Sequence, residues 1–481
     1  MATLKLASSF MAAATLAIAQ GAGAVGLPNV SNVHMGKQLK EVDSFSAALK
    51  GGTPDLILRL RYEDVSDDIP DTSPLAGTGE ADLLSLRTVL GYSTARYNGF
   101  YSRVEFEATT LIGDVDALTL GEDLTFPPGP AGSRIANGNA IIPDPKKEEI
   151  NEAYIGWRSA TSGCSNAPGG CNGGTTVKVG RQAIIYDNHR WVGTISWRQN
   201  FQSFNALRID NSSISNLHLS YSYIDTVNRT FGPESPFNKW RMKDTHLINV
   251  SYELPVGKLI GYGYLLNFDD NPRTPFPEGT GADPTNFDSD TWGLRYLGEQ
   301  KTSDAFTFMW DLEFANQNPT GDAGPTLSDN NYYNVEFGGG FKLGGKPVVV
   351  KVGKEVLEGN GVNALQTPLA TFHAFNGWAD KFIGPAGGTA TPVGGLEDTS
   401  ISVTVKGLIG GSKMVLWYHD FQANKTVGGL KDYGTEWNAL FAKKFTKEWM
   451  GLIKYANFSD GGDGYSVDTE KFWVMAKYEF Q

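Results

Sequence analysis

Long apolar runs are missing from this sequence. Beyond the first two dozen residues no stretch of 18 apolar residues occurs, which excludes membrane-spanning helices. Cysteine is nearly absent, with two in 481 residues, and two thiols alone do not make a zinc site. The six histidines, His34, His189, His218, His246, His373 and His419, show neither H-E-x-x-H nor any other metal-ligating spacing. A G-x-S-x-G elbow and a Walker loop are lacking too. These gaps argue against an enzyme, and no catalytic residue, metal or cofactor is expected. Positive charge is short: 41 Lys and Arg face 53 Asp and Glu, a net −12. With no basic stretch interleaved with aromatics, nucleic acid is a poor partner.

Glycine (57 residues) and aromatics (12%) are plentiful, while charged residues make up only 20%. A chain so rich in Trp, Tyr and Phe buries enough apolar surface to offset its lost entropy, which disfavours disorder. Residues 1–24, MATLKLASSFMAAATLAIAQGAGA, place Lys5 before an apolar core and end on Ala22-Gly23-Ala24. This is the pattern of a secretory signal peptide with an A-x-A cleavage site. Cys164 and Cys171, in the Gly-rich stretch SGCSNAPGGCNGG, are expected to form a local disulfide in an oxidising compartment.

What fills the rest of the chain is alternation. Phe306, Phe308, Trp310, Leu312 and Phe314 share one face of a segment whose other face holds Thr307, Asp311 and Glu313. Leu56, Leu58, Leu60 and Tyr62 oppose Arg59, Arg61 and Glu63, and Phe472, Val474, Ala476 and Tyr478 oppose Lys471, Lys477 and Glu479. A period of two over about ten residues marks strands with one oily and one wet face. Short connections, such as 96–98, 255–257 and 344–346, alternate with long Gly/Pro/Asp-rich ones, such as 66–81, 113–149, 269–288 and 359–396. The Cys-bearing connection is a long one on the short-turn side.

The expected fold is all-β: an up-and-down antiparallel transmembrane β-barrel of about 18 strands, with short periplasmic turns and long extracellular loops. Strand starts are expected near Asp55, Asp82, Phe100, Ile150, Thr175, Gln202, Ile214, Lys243, Lys258, Ser289, Ala305, Asn330, Pro347, Leu396, Ser412, Asp432, Glu448 and Val467. Residues 25–54 then form an N-terminal periplasmic segment and 55–481 the barrel. A soluble β-sandwich also alternates, so an exported carbohydrate-binding or lytic β-protein is the alternative from another class. Aromatics near strand ends and asymmetric loops favour the barrel.

Three blocks carry a family signature: VGRQAIIYDNHRWVGTISWRQNFQSFNALRI from Val179 to Ile209, TPLATFHAFNGWADKF from Thr367 to Phe382, and GGLEDTSISV from Gly394 to Val403. They resemble the alginate export family of outer-membrane porins. The resemblance implies an 18-stranded barrel in the outer membrane of a Gram-negative bacterium, inserted by the barrel-assembly machinery. It also implies a link to anionic polysaccharide, whose secretion would involve a periplasmic export partner.

If the oily face meets lipid, the other face lines the lumen. Parity then assigns Arg59, Arg61, Arg87, Arg103, Arg158, Lys178, Arg208, Arg295, Lys454 and Lys471 to it, with Glu63, Glu105, Asp311, Glu313, Glu355 and Glu436 among the acids. The two signs nearly balance, so a passive channel for small polar or charged solutes fits as well as an anionic saccharide does. Arg181, Arg190, Arg198 and Arg208 are read either as an anion-contacting patch or as wall salt bridges. The aromatic stretch with His373, Trp378, Asp380 and Lys381 either folds inward as a constriction or packs on itself outside.

Overall fold

The structure, a computed structural model, describes residues 39–68, 79–115, 117, 119, 140–159, 174–235, 237–269, 287–321, 327–383 and 391–480. The expected signal peptide and the Cys164–Cys171 pair lie outside these residues. A short helix, α1 (Phe45–Lys50), precedes eighteen strands: β1 (Thr53–Asp67), β2 (Glu80–Ser93), β3 (Phe100–Ile112), β4 (Lys147–Arg158), β5 (Thr175–Gln182), β6 (Ser203–Asn211), β7 (Leu217–Asn228), β8 (Lys239–Glu253), β9 (Lys258–Leu266), β10 (Ser289–Lys301), β11 (Phe306–Pro319), β12 (Asn330–Leu343), β13 (Lys346–Leu357), β14 (Leu396–Lys406), β15 (Ser412–Val427), β16 (Leu430–Lys444), β17 (Trp449–Ser459) and β18 (Thr469–Phe480).

Each strand pairs antiparallel with its sequence neighbours, and β1 closes the ring on β18 from Leu56↔Phe480 to Asp67↔Thr469. Closure leaves no sheet edge, the condition for strands to live in hydrocarbon. The side chains are arranged inside out. On β1, Leu60 is 42% exposed while Arg59 and Arg61 on either side are each 1% exposed. The same inversion recurs at Val104 and Phe106 against buried Arg103 and Glu105, and at Leu294 against Arg295. A soluble sandwich buries its apolar faces together. Here those faces form the outer wall, so the soluble β-protein alternative is corrected: the outer surface needs an apolar solvent.

Both ends of the strand array, Thr53 and Phe480, lie at one rim, where tight turns connect the strands. Gly344 and Gly345 (φ +56° and +76°) make a two-residue turn between β12 and β13, a conformation that the right-handed twist of a hairpin favours and side chains with a Cβ resist. The long connections lie at the opposite rim, except the one between β4 and β5, which belongs to the termini rim. Conversely, β15 joins β16 at that opposite rim through Gly428 and Gly429 alone (φ +61° and +90°).

Candidate functional site

Two of the connections at the long-loop rim turn inward instead of outward. Residues 183–202, between β5 and β6, are buried almost throughout, and of 358–383, after β13, the stretch 364–379 is buried except at Gln366. A surface loop keeps its backbone in water; these two satisfy theirs against each other and against the wall. Gly193 donates its N–H to the Leu369 carbonyl at 2.8 Å, and Thr371 donates to the His189 carbonyl at 2.9 Å. The Thr371 hydroxyl accepts from Ile195 N–H at 3.1 Å. The Trp197 indole stacks on the His373 ring, 4.7 Å between centroids and 7° from parallel.

Charged pairs tie this double loop to opposite parts of the barrel. Arg198 binds Glu63 of β1 at 3.0 Å and Asp380 of the second loop at 2.8 Å. Asp380 also contacts His373 Nδ1 at 2.7 Å and Lys471 of β18 at 3.3 Å. Arg190 binds Glu355 of β13 at 2.7 Å, and Asn376 donates to Glu355 at 2.6 Å and to Asp398 of β14 at 3.1 Å. Glu436 of β16 accepts the Trp378 and Ala379 N–H groups, the latter at 3.0 Å. Asn376 and Gly377 adopt left-handed φ of +55° and +83° there, and a Cβ at residue 377 would collide with the Glu436 carboxylate. Only glycine lets the chain approach so closely.

At the centre sits Lys454 of β17. Its Nζ lies 4.1 Å from the Trp197 ring centroid, 3.9 Å from Trp378 and 5.2 Å from Trp473, and it donates to His373 Nε2. Among the described residues no carboxylate pairs with it, so indole faces take the place of a counter-ion. Burial pushes the His373 imidazole down to about 3, so at neutral pH its Nδ1–H donates to Asp380 and its Nε2 accepts from Lys454. Burial works against ionisation of Asp380, yet His373, Lys471 and Arg198 together hold its carboxyl well below the usual range.

The β1 arginines grip the first loop. Arg59 donates to Gln199 Oε1 at 2.8 Å and to the Ser196 carbonyl at 3.0 Å. Arg61 donates to the Trp197 carbonyl at 2.6 Å and pairs with Asp144, while Arg87 pairs with Glu107. Glu313 accepts from Trp191 Nε1 at 2.8 Å and from the Tyr262 hydroxyl at 2.6 Å, with Arg295 bound to Asp311 at 2.7 Å beside it.

Nearer the termini rim, Arg103 links Asp55 at 2.9 Å and Glu152 at 2.7 Å, with Glu105 a third partner. Arg208 pairs with Asp210 at 2.9 Å over the Tyr186 ring. Arg158 ends β4 half-buried with the inward parity. At the long-loop rim, Lys381 is within 3.6 Å of Asp67, the last residue of β1.

Arg181 sits apart from the other three arginines. It shares strand parity with Val177 and the 57% exposed Val179, and its guanidinium donates to the Ile150 carbonyl at 2.7 Å. It lies on the outer face, not in the lumen. Of the four arginines, Arg190, Arg198 and Arg208 go to Glu355, Glu63 with Asp380, and Asp210 respectively, and Arg181 lies 3.8 Å from Glu149. Trp197, Gln199, Asp144 and Asn376 were not singled out from sequence; the turn dipeptide Asn376-Gly377 was the one available signal.

The alginate export family model matches residues 130–426, more than half the chain. The chain belongs to the alginate export family. No curated protein sequence matches it. Among solved structures, this alginate export family barrel is similar to Pseudomonas aeruginosa OccD3 (OpdP), with 13% identity, a TM-score of 0.61, and 95% of this chain and 96% of that one covered. It is also similar to OpdK from the same organism, solved with vanillate (12% identity, TM-score 0.60, 90% and 99% covered), and to Acinetobacter baumannii OccAB4 (10% identity, TM-score 0.60, 89% and 98% covered). At these identities the likeness concerns the fold alone, a closed antiparallel β-barrel, here of 18 strands.

Proposed function

We propose that this alginate export family member is a passive outer-membrane channel for small polar or anionic solutes, with its termini rim in the periplasm and the two inward loops as its constriction. One observation carries the reading: residues 183–202 and 358–383 cross the lumen and are bonded to each other and to β1, β13, β16 and β18. A hydrated polysaccharide strand needs a continuous wide bore, whereas a small solute needs only the gaps beside such a structure. The OpdK structure with vanillate supports a small carboxylate as a trial permeant. Solute moves down its gradient, and the mixed charges of the wall act as filter.

The family match itself favours a second reading, secretion of an alginate-like polyanion with a periplasmic partner. Planar-bilayer recording separates the two. Small discrete conductance steps, reduced by millimolar vanillate and enlarged when residues 364–383 are replaced by a short Gly-Ser linker, are expected for a constricted small-solute pore. Large steps blocked by alginate oligomers, and unaffected by that replacement, would overturn it.

A further inference from the structure

The segment before β1 has an exposed apolar face that the channel reading does not use. Phe45 is 67% exposed and Leu49 48%, one turn apart on the same side of α1, while Ala48 on the other side is 4% exposed. Single-turn helices of this kind have no stability of their own. This one is fixed to the termini rim by an array of bonds: Val42 N–H to the Arg96 carbonyl at 2.9 Å, Arg96 N–H to the Lys40 carbonyl at 2.8 Å, and Ala95 N–H to the Ala48 carbonyl at 3.0 Å.

The decisive contact is Tyr92. It lies on β2 with the outward parity of Leu90, which is 57% exposed. Its phenol accepts from Gly52 N–H at 3.1 Å and donates to the Leu49 carbonyl. A Cβ at residue 52 would overlap the Tyr92 phenol and the Ser93 carbonyl, so glycine lets the chain lie against the outer wall. The end of the helix is thereby held against Tyr92, on the outward face of β2 that also carries the 57% exposed Leu90, at the edge of the apolar outer wall. Lys40 and Lys50 are offset by Glu41 and Asp43, so apolar contact, not charge, selects the partner.

We propose that residues 39–50 form a lipid hook: Phe45 and Leu49 enter the boundary between headgroups and acyl chains of the periplasmic leaflet, continuing the lipid-facing belt of β2 and β3 beyond the barrel. Helices with one apolar face lie in that boundary layer. The hook orients the chain along the membrane plane as it enters β1.

The test places a bimane-labelled cysteine at residue 45, 49, 43 or 453 by Phe45→Cys, Leu49→Cys, Asp43→Cys or Ile453→Cys, with Cys164→Ser and Cys171→Ser in every chain. The barrel is inserted in phosphatidylethanolamine/phosphatidylglycerol vesicles whose acyl chains are brominated near the headgroup. The emission of the 45 and 49 labels is expected to fall roughly twofold relative to unbrominated vesicles, with little change at 43. The 453 label on the outer wall reports insertion. Unquenched labels at 45 and 49 alongside a quenched 453 would overturn the hook, as would equal quenching at 43. Neither outcome bears on conductance, so this inference and the channel reading fail separately.

Discussion

Asp380→Asn is the sharpest probe of the double loop. The carboxylate is shared by Arg198 at 2.8 Å, His373 at 2.7 Å and Lys471 at 3.3 Å. Asparagine keeps the shape and one acceptor but removes the charge from all three contacts. Arg198 retains Glu63, whereas Lys471 has no other ion pair among the described residues. A hydrogen bond to a charged partner contributes about 1.5–3 kcal/mol, and stranding one buried charge costs several kcal/mol, so a net loosening of about 3 kcal/mol follows. The strand ladder is untouched, so the loss falls on local opening of the loops. Amide exchange at Gly193 and Thr371, whose N–H groups join the two loops, is expected to speed up roughly 150-fold. Exchange in β1 and β18 stays unchanged. Unaltered exchange at residues 193 and 371, or a collapse of the whole barrel, would refute the idea that Asp380 latches the loops.

Acid should open the same latch. Burial lowers the His373 imidazole to about 3, so the folded loops require it neutral; their stability is intact above the ordinary value of ~6.5 and is lost as pH falls towards 3. At pH 5 the loss is about 2 kcal/mol, read as roughly 30-fold faster exchange at the loop amides after correction for intrinsic rates, and His373→Gln should abolish the pH dependence. Lys454→Met keeps the bulk inside the three indoles but removes the charge and the bond to His373. A loosening of about 1–2 kcal/mol is expected, together with a rise in Trp fluorescence anisotropy decay rate. Ile453, 49% exposed on β17, faces lipid well inside the strand, and Ile453→Arg should cost about 2–4 kcal/mol of folding free energy in vesicles. A cost near zero would mean that this face does not meet hydrocarbon.

The strands were legible because lipid outside and charge inside impose a strict period of two. Expected starts at Phe100, Thr175, Lys258, Ser289, Asn330, Leu396 and Ser412 coincide with the observed ones. Where the ladder runs past the apolar belt the signal fades: β4 and β8 begin at Lys147 and Lys239, several residues before the apolar alternation that marked Ile150 and Lys243. Ile214 misled in the other direction, since it lies in the turn before β7, 58% exposed, with Asn216 at φ +65° two residues on. Arg181 came from the family block and not from parity; its register with Val177 and Val179 is the outward one, just past Gly180 at φ +124°.

The inward course of the two loops is a different matter, because nothing periodic encodes it. Arg198 finds Glu63 at a separation of 135 residues and Asp380 at 182; each partner also had a local, bland reading as a wall charge or a loop charge. What turns the loops inward is the sum of such matches: guanidinium groups on β1 meeting loop carbonyls, a wall carboxylate meeting loop N–H groups, and a wall ammonium meeting two loop indoles. Each wall charge buried beneath the loops without such a partner would be costly. The balanced sign count of the wall and the burial of the loops are therefore one fact. Charges that the sequence offers as a lumen filter serve first as the attachment points of the two inward loops, and on the proposed channel reading selectivity would rest on whatever charge the loops leave uncovered.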